Sequence, residues 1–402
     1  MQINLFNKKN DNKIKYIAEN IVFGVDIGSK SLKVSTLELT DSNNYLIHDM
    51  SEEPFSSPLN YKNFDEQIIK TAFLTIFEKL KQKGLFEIAI KKALVILPMG
   101  TYLSKVIHKE TLIKDSIVKY ENKINLINKA KEECNKNIIL HTIPMKYFVD
   151  GNEVKDPIGL QGEVLAMDVF IIGYEELIFE KIKSILKELE IQVGKYIAPP
   201  LSFINFYLTN IKYKEYNPLI LDFGGECSYL YNICNGLLKN FYSINLGGEI
   251  ITRDVSQVLG IETETAQKLK DQYIDLTDHT IQEEINLNGI QVDMKLFREV
   301  VISRYEEIIE KLENNSNFEK MKKDSNALIL LGNGHLIGAE VYLKNRWGLP
   351  ILTEIENFKE KHFLCANGAI NYAINNDIYL YHHQNKKNGF FHELIRVVED
   401  LF

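Results

Sequence analysis

The chain has 402 residues, 45% of them hydrophobic and 25% charged, and its 47 basic and 55 acidic side chains leave a net charge of −8. That length supports two or three folding units, and the acidic balance, with no Lys/Arg stripe interleaved with aromatics, argues against nucleic acid as a partner. The four cysteines, Cys134, Cys227, Cys234 and Cys365, form no C-x-x-C pair, which argues against a zinc site or disulfide framework and suits a reducing cytosol. No apolar run approaches the about 18 to 20 residues that span a bilayer.

Residues 1–20 read as an N-terminal extension without a continuous apolar core. From Ile21 to Leu39 the pattern alternates as a hairpin does, around the stretch GVDIGSKSLKV at residues 24–34. The spacing of Ile68, Ile69, Ala72, Phe73, Ile76, Phe77 and Leu80 predicts a helix from Phe64 to Lys83, and KKALVILPMG then reads as a short buried strand ending at Pro98 and Gly100. Residues 101–173 read as an inserted subdomain, with a helix from Tyr120 to Asn135 and strands at Ile138 to Ile143 and Val164 to Ile172. A helix from Tyr174 to Leu189 and a Pro199-Pro200 bend precede a second strand-turn-strand signal, PLILDFGGECSYLYNICNG, at residues 218–236. After INLGGEIITRDVSQVL, a charged and mostly helical region runs to about Lys323. It is followed by a third strand-turn-helix signal, ALILLGNGHLIGAEVYL, with Gly332, Gly334 and Gly338. The two hairpins hint at an old duplication of one folding unit.

Alone, a Gly-Ser-Lys hairpin is what any chain reversal asks for. Three such turns in this order, DIGSK, DFGGE and LGNGH, each after a short apolar strand, say more. Consecutive backbone N–H groups in such turns can face an anion, and glycine permits close approach. Asp26 and Asp222 stand at the strand ends just before the first two turns. Two carboxylates facing a polyphosphate would suit Mg²⁺, which keeps several waters and takes few protein ligands. Lys30 and Lys33 could neutralise phosphate charge, although a solvated hairpin face explains them equally well.

The trio resembles the phosphate-1, phosphate-2 and adenosine motifs of the actin, sugar kinase and heat-shock-70 ATPase superfamily, over Ile21 to roughly Ala373. Within it three stretches resemble the FtsA family of bacterial cell-division proteins. LHTIPMKYFVDGNEVKDPIGLQG, residues 140–162, is similar to that family's inserted subdomain. LGGEIITRDVSQVLGIETETAQKLK, residues 246–270, is similar to the Gly-Gly turn and helices that meet the nucleoside, and VVISRYEEIIEKL, residues 300–312, is similar to a helix of its fourth subdomain.

The resemblance implies an α/β, actin-like (ribonuclease H-like) two-lobe fold with a small inserted α+β subdomain in the first lobe. The first lobe would take residues 21–100 and 174–217 with a return helix at about 359–380. The second would take 218–248 and 324–358, with a helical subdomain at 249–323. It further implies ATP and Mg²⁺ as cofactors. Gly28, Ser29, Lys30, Lys33, Gly224, Gly225 and Glu226 would lie at the phosphates, and Gly248, Gln267, Lys270, Gly332, Asn333 and Gly334 around the nucleoside. Asp26 and Asp222 would hold the metal through water, and Arg304 would help hold the acidic tail of the tubulin-like FtsZ. The second turn departs from the family's usual Asp-x-Gly-Gly-Gly-Thr-Thr-Asp: Glu226 replaces the third glycine, Cys227 and Ser228 the threonines and Tyr229 the last aspartate. A carboxylate aimed at the phosphates would repel them unless a metal or lysine intervenes. Gln267 stands where a ribose-binding glutamate is common, and the third turn is Gly-Asn-Gly rather than Gly-Gly-Gly.

After a polar linker at 381–389, residues 390–402 read FFHELIRVVEDLF. Phe390, Phe391, Leu394, Ile395, Val398, Leu401 and Phe402 form the apolar side of an amphipathic helix. Such a helix either packs on its own protein or lies in a membrane surface. FtsA proteins resemble the second arrangement, although the charged side here is acidic rather than basic. The resemblance thus implies a cytoplasmic ATP-binding protein that self-associates at the division site, or septum, and tethers FtsZ to the inner face of the cell membrane. Two other readings stand beside it: an actin-fold scaffold like the pilus-assembly protein PilM, which NLFNKK and VDIGSKSLKV also resemble, and a small-molecule kinase. A kinase needs a carboxylate base beside a substrate hydroxyl, and no residue with kinase-specific context stands out.

Overall fold

The computed structural model describes residues 21–39, 45–59, 64–85, 93–98, 102–134, 136–209, 215–278, 284–287, 290–352 and 363–375. The N-terminal extension, the 381–389 linker and the proposed membrane residues from Phe390 to Phe402 lie outside them.

The first sheet is built from β1 (Ile21–Ile27), β2 (Ser31–Leu39), β3 (Tyr45–Pro54), β4 (Ala93–Ile96) and β9 (Val193–Ile197), in the order β3-β2-β1-β4-β9. Strand β4 pairs in parallel with β1 and β9 and is buried along its length, which is why its sequence is a continuous apolar run rather than an alternating one. Strand β3 is an edge strand. Two of its acidic side chains are taken up by helix α1 (Glu66–Gln82) and its C-cap, where Lys79 binds Glu53 at 2.7 Å and Lys83 binds Asp49 at 2.5 Å. The charges that protect the edge also erase its alternation, so this strand is not legible in the sequence. Asp65 caps α1 by accepting from the Gln67 N–H at 2.9 Å.

The inserted subdomain carries strands β5 (Tyr102–Leu112), β6 (Asn137–Val149), β7 (Asn152–Val154) and β8 (Val164–Glu175) in the order β5-β8-β6-β7, covered by helix α2 (Tyr120–Glu132). It closes its own core with Ile107, Leu126, Ile127, Leu165, Met167 and Ile171. Helix α3 (Glu176–Glu188) then leads through β9 to helix α4 (Pro199–Thr209). The Pro199-Pro200 pair is therefore the first turn of a helix rather than a bend, a position where the missing N–H has no intrahelical partner to lose.

The second sheet takes β10 (Pro218–Phe223), β11 (Ser228–Cys234), β12 (Leu237–Ile244) and β15 (Ala327–Leu331) in the order β12-β11-β10-β15. Its first hairpin repeats that of the first sheet. Asp26 faces Lys33 as Asp222 faces Tyr229, and β4 lies parallel to β1 as β15 does to β10. Around it lie helices α5 (Gly248–Leu259), α6 (Thr263–Tyr273), α7 (Met294–Glu313), α8 (Phe318–Lys323) and α9 (Ala339–Trp347), with a two-stranded ribbon of β13 (Glu284–Leu287) and β14 (Ile290–Asp293). Phe223, Phe297, Val301, Tyr305 and Leu336 share its core.

Helix α10 (Leu364–Asn375) returns to the first sheet and packs on α4 and β1. Buried His141 of β6 ties the insertion to this corner. Its Nε2 accepts from the Ala198 N–H at 3.1 Å, which leaves the proton on Nδ1 to donate to the Tyr372 hydroxyl at 3.1 Å. Burial pushes its pKa well below the usual range, so this imidazole is a neutral structural link.

Candidate functional site

The first two glycine turns have the same backbone closure. The Gly28 N–H donates to Ser31 O at 3.0 Å and the Gly224 N–H to Cys227 O at 3.0 Å. The carbonyls of Ser29 and Lys30 are taken up by the N–H groups of Leu59 and Phe55, each at 2.8 Å. The second turn is fastened from two directions. The Gly248 and Glu249 N–H groups at the start of α5 donate to Gly224 O at 2.9 Å and Gly225 O at 2.8 Å, and the Gly334 N–H of the third turn donates to Phe223 O at 2.8 Å.

The three turns meet. A Cβ placed on Gly225 would sit 2.6 Å from Ser29 Oγ, one on Gly334 would sit 2.3 Å from Gly224 O, and one on Gly248 would sit 2.9 Å from Gly334 Cα. At Gly334 and Gly248 the facing atoms are backbone, and only glycine allows backbones this close. Gly332, just before, has φ +85° and lies against Phe223 O and Asp222. Asn333 lies between these glycines, and the His335 ring stacks on Phe223 with centroids 5.2 Å apart.

Asp26 and Asp222 are recessed but keep partial access to solvent. Enclosure by protein pushes the Asp222 pKa up to about 7; the negative charge of Asp26 adds to the rise and Lys33 opposes it. These two strand-end carboxylates and Lys33, which faces Asp26 in the hairpin register, therefore form one electrostatic unit. Among the described residues no group of three or more His, Cys, Asp or Glu side chains is placed to hold a metal ion.

Where α5 and α6 meet, buried Lys270 donates to Gly248 O at 2.9 Å, Thr252 Oγ1 at 2.7 Å and Gln267 Oε1 at 3.3 Å. Desolvation lowers its pKa to about 8, with Glu249 working against that fall and Lys30 adding to it. Gln267 spends its amide N–H groups on Asp271, at 2.7 and 2.8 Å, one helical turn along α6. Its Oε1 also accepts from Thr252 Oγ1 at 2.9 Å and from Lys30 at 3.4 Å.

The departures in the second turn have structural partners. Buried Glu226 is clamped by Arg253 of α5 through two hydrogen bonds, one of them 3.2 Å long, so its charge is neutralised within its own lobe. Ser228 Oγ donates to Leu246 O at 2.7 Å, and Cys227 contacts the Tyr229 hydroxyl at 3.1 Å. Tyr229 packs in a cluster with Tyr102 and Phe241. Sequence reasoning missed Glu249, Thr252, Arg253 and Asp271. The only signal for them was the unmatched charge of Glu226 and the i, i+4 spacing of Gln267 and Asp271. Arg304 belongs to a different neighbourhood, where Asp254 of α5 and Glu307 take its guanidinium.

Residues 103–173 match the family description "SHS2 domain inserted in FTSA". Over 338 residues the chain is 22% identical to the cell division protein FtsA of Streptococcus pneumoniae, covering 81% of this chain and 73% of that protein. Over 250 residues it is 28% identical to FtsA of Buchnera aphidicola subsp. Baizongia pistaciae, covering 60% of this chain and 58% of that protein. Among solved structures, the PilM-PilN type IV pilus biogenesis complex matches with a TM-score of 0.60 at 13% identity, over 89% of this chain and 98% of that one. MreB5 of Spiroplasma citri bound to ADP matches with a TM-score of 0.50 at 14% identity, over 92% and 100%. At such identities the structures speak for the fold alone.

Paired hairpin sheets whose glycine turns converge, together with these matches, define an actin-like fold. Within that fold the inserted subdomain matches the SHS2 domain of FtsA, and the aligned relatives are FtsA cell division proteins. Among the described residues no helix is long and apolar enough to cross a membrane.

Proposed function

We propose that the chain works as FtsA does: it binds an adenine nucleotide between its lobes, associates with copies of itself, takes up the acidic tail of FtsZ and holds it at the inner face of the cell membrane. The observation that carries this reading is the insertion at residues 103–173, which matches the SHS2 domain inserted in FtsA, in a chain whose three glycine turns meet at one point.

The residues fit a nucleotide in charge and shape. The turns around Gly28, Ser29 and Lys30 and around Gly224 and Gly225 would face the phosphates. Lys33 would support their charge, and Gly332, Asn333 and Gly334 would pass under the base while Gly248, Gln267 and Lys270 meet the ribose side. Asp26 and Asp222 would contribute a carboxylate pair toward Mg²⁺, the cation supplying the charge that lets both stay ionised. Glu226 does not oppose the phosphates while Arg253 holds it. The bound group would supply a polyanion bridging the lobes.

Two experiments test the tether. An immobilised FtsZ C-terminal peptide should retain the intact chain, and Arg304→Glu should reduce retention at least about tenfold, since it places a third carboxylate beside Asp254 and Glu307. No retention of the intact chain would favour the pilus-type scaffold, which the PilM-PilN match supports at the level of fold. For the membrane, a chain ending at Lys387 should lose most of its co-sedimentation with liposomes. Equal pelleting of the full and shortened chains would place any lipid affinity elsewhere.

A further inference from the structure

We infer that Glu249 is an internal anion that competes with a ligand's phosphates for Lys30, so that a phosphate reaching Lys30 binds more weakly than the turns alone would allow. This rests on the reading that the converging turns hold a nucleotide.

Glu249 is fixed by its backbone: it lies in the first turn of α5, and its N–H is bonded to Gly225 O at 2.8 Å. Its side chain lies over the second turn, with Cγ 3.3 Å from where a Cβ of Gly225 would be. Its carboxylate pairs with Lys30 of the first turn, and the pair is lopsided, because Glu249 is 6% accessible and Lys30 is 47% accessible. The pair therefore joins the two turns that also touch through Ser29 and Gly225. A second cation, Lys270, interacts electrostatically with the same carboxylate from α6. One recessed negative charge thus stands between two lysines from different elements, where the proposed ligand would put its phosphates.

An exposed ion pair is worth little, but a recessed carboxylate stripped of its cation is unfavourable. Any ligand that draws Lys30 away must compensate for that loss. A ligand that displaces Glu249 from Lys30 carries the whole of that cost, whereas one whose phosphate does not reach Lys30 carries none, so the pair weakens a triphosphate more than a monophosphate. Glu226 is no such competitor, since its cation, Arg253, comes from the same lobe.

The test is a fluorescence titration of the full chain with a labelled ADP, displaced by unlabelled ATP, ADP and AMP. It is run on the parent, Glu249→Gln, Lys30→Gln and the double variant. Glu249→Gln should tighten ATP about tenfold and AMP less, which widens the ranking among the three. In the Lys30→Gln background the same change should gain nothing, because the contested cation is gone. Equal affinities in parent and Glu249→Gln, or a gain that persists without Lys30, overturn the inference. Should no variant bind adenine nucleotide, the nucleotide reading itself falls. Inorganic tripolyphosphate then decides the competition through the melting temperature: a larger rise in Glu249→Gln than in the parent sustains it, and equal or absent rises overturn it.

Discussion

Replacing Asp222 by Asn should make the chain more stable at pH 8 and leave its stability nearly unchanged at pH 4. In the unfolded chain an aspartate ionises near about 3.9, whereas burial and the neighbouring Asp26 raise the folded value to about 7. Below the unfolded value both states carry the proton and nothing is lost. Between the two values the unfolded chain releases its proton first, so the folded state loses stability as pH rises, and above the folded value the loss is complete. About three pKa units correspond to roughly 4 kcal/mol, reduced to about 2 to 3 because the carboxyl keeps some access to solvent. Asn has nothing to ionise. Urea unfolding of both chains at pH 4 and pH 8 measures this, and parallel losses in parent and variant would remove Asp222 from the pH dependence. If the carboxylate pair serves Mg²⁺, adding the cation with nucleotide at pH 8 should stabilise the parent more than the variant, because the metal binds only the ionised form.

How much of this site is legible in the sequence follows from the range of the interactions. Turn closure is local. Gly28 to Ser31 and Gly224 to Cys227 are each set within four residues, so the strand-glycine signals predict both turns and their likeness. The inserted subdomain is legible for a related reason: its strands and helix carry enough apolar residues to close a private core. The neutralising partners are not legible. Arg253 lies 27 residues from Glu226, and no spacing rule links a turn to the first exposed position of a helix that happens to dock on it. The same holds for Lys30 and Glu249, which belong to different lobes. Strand β3 is hidden because its edge is defended by charge, and α4 because a proline pair serves to begin a helix as readily as to end one. Glu226 shows the limit most clearly. Its sequence position suggests repulsion of an anion, and only the fold reveals that Arg253 has already taken its charge.

Gly334→Ala should destabilise the chain by about 3 kcal/mol, several times the effect of Gly348→Ala. An added Cβ at residue 334 would meet Gly224 O at 2.3 Å, Phe223 Cδ1 at 2.7 Å and Phe223 O at 2.8 Å. Two of these atoms are backbone of the second turn. The third belongs to a fully buried ring packed against Tyr305 and His335. Nothing there is a flexible chain end, so the third turn itself must shift. Overpacking of this kind costs about 1 to 3 kcal/mol, and a shift would also weaken the Gly334 N–H bond to Phe223 O, a buried hydrogen bond worth about 1 kcal/mol. At Gly348 the only obstacle is conformational: φ is +71° and no atom lies within 4 Å of the added carbon, so the loss is about 1 kcal/mol. Comparing denaturation midpoints of the two variants isolates the contact from the generic effect of replacing a glycine. The functional consequence follows from the same clash, because a third turn pushed off the second can no longer share a ligand with it. Nucleotide affinity should therefore fall in Gly334→Ala and remain at the parental value in Gly348→Ala. Equal stability and equal affinity in the two variants would mean that the turns do not pack as tightly as the nucleotide reading requires.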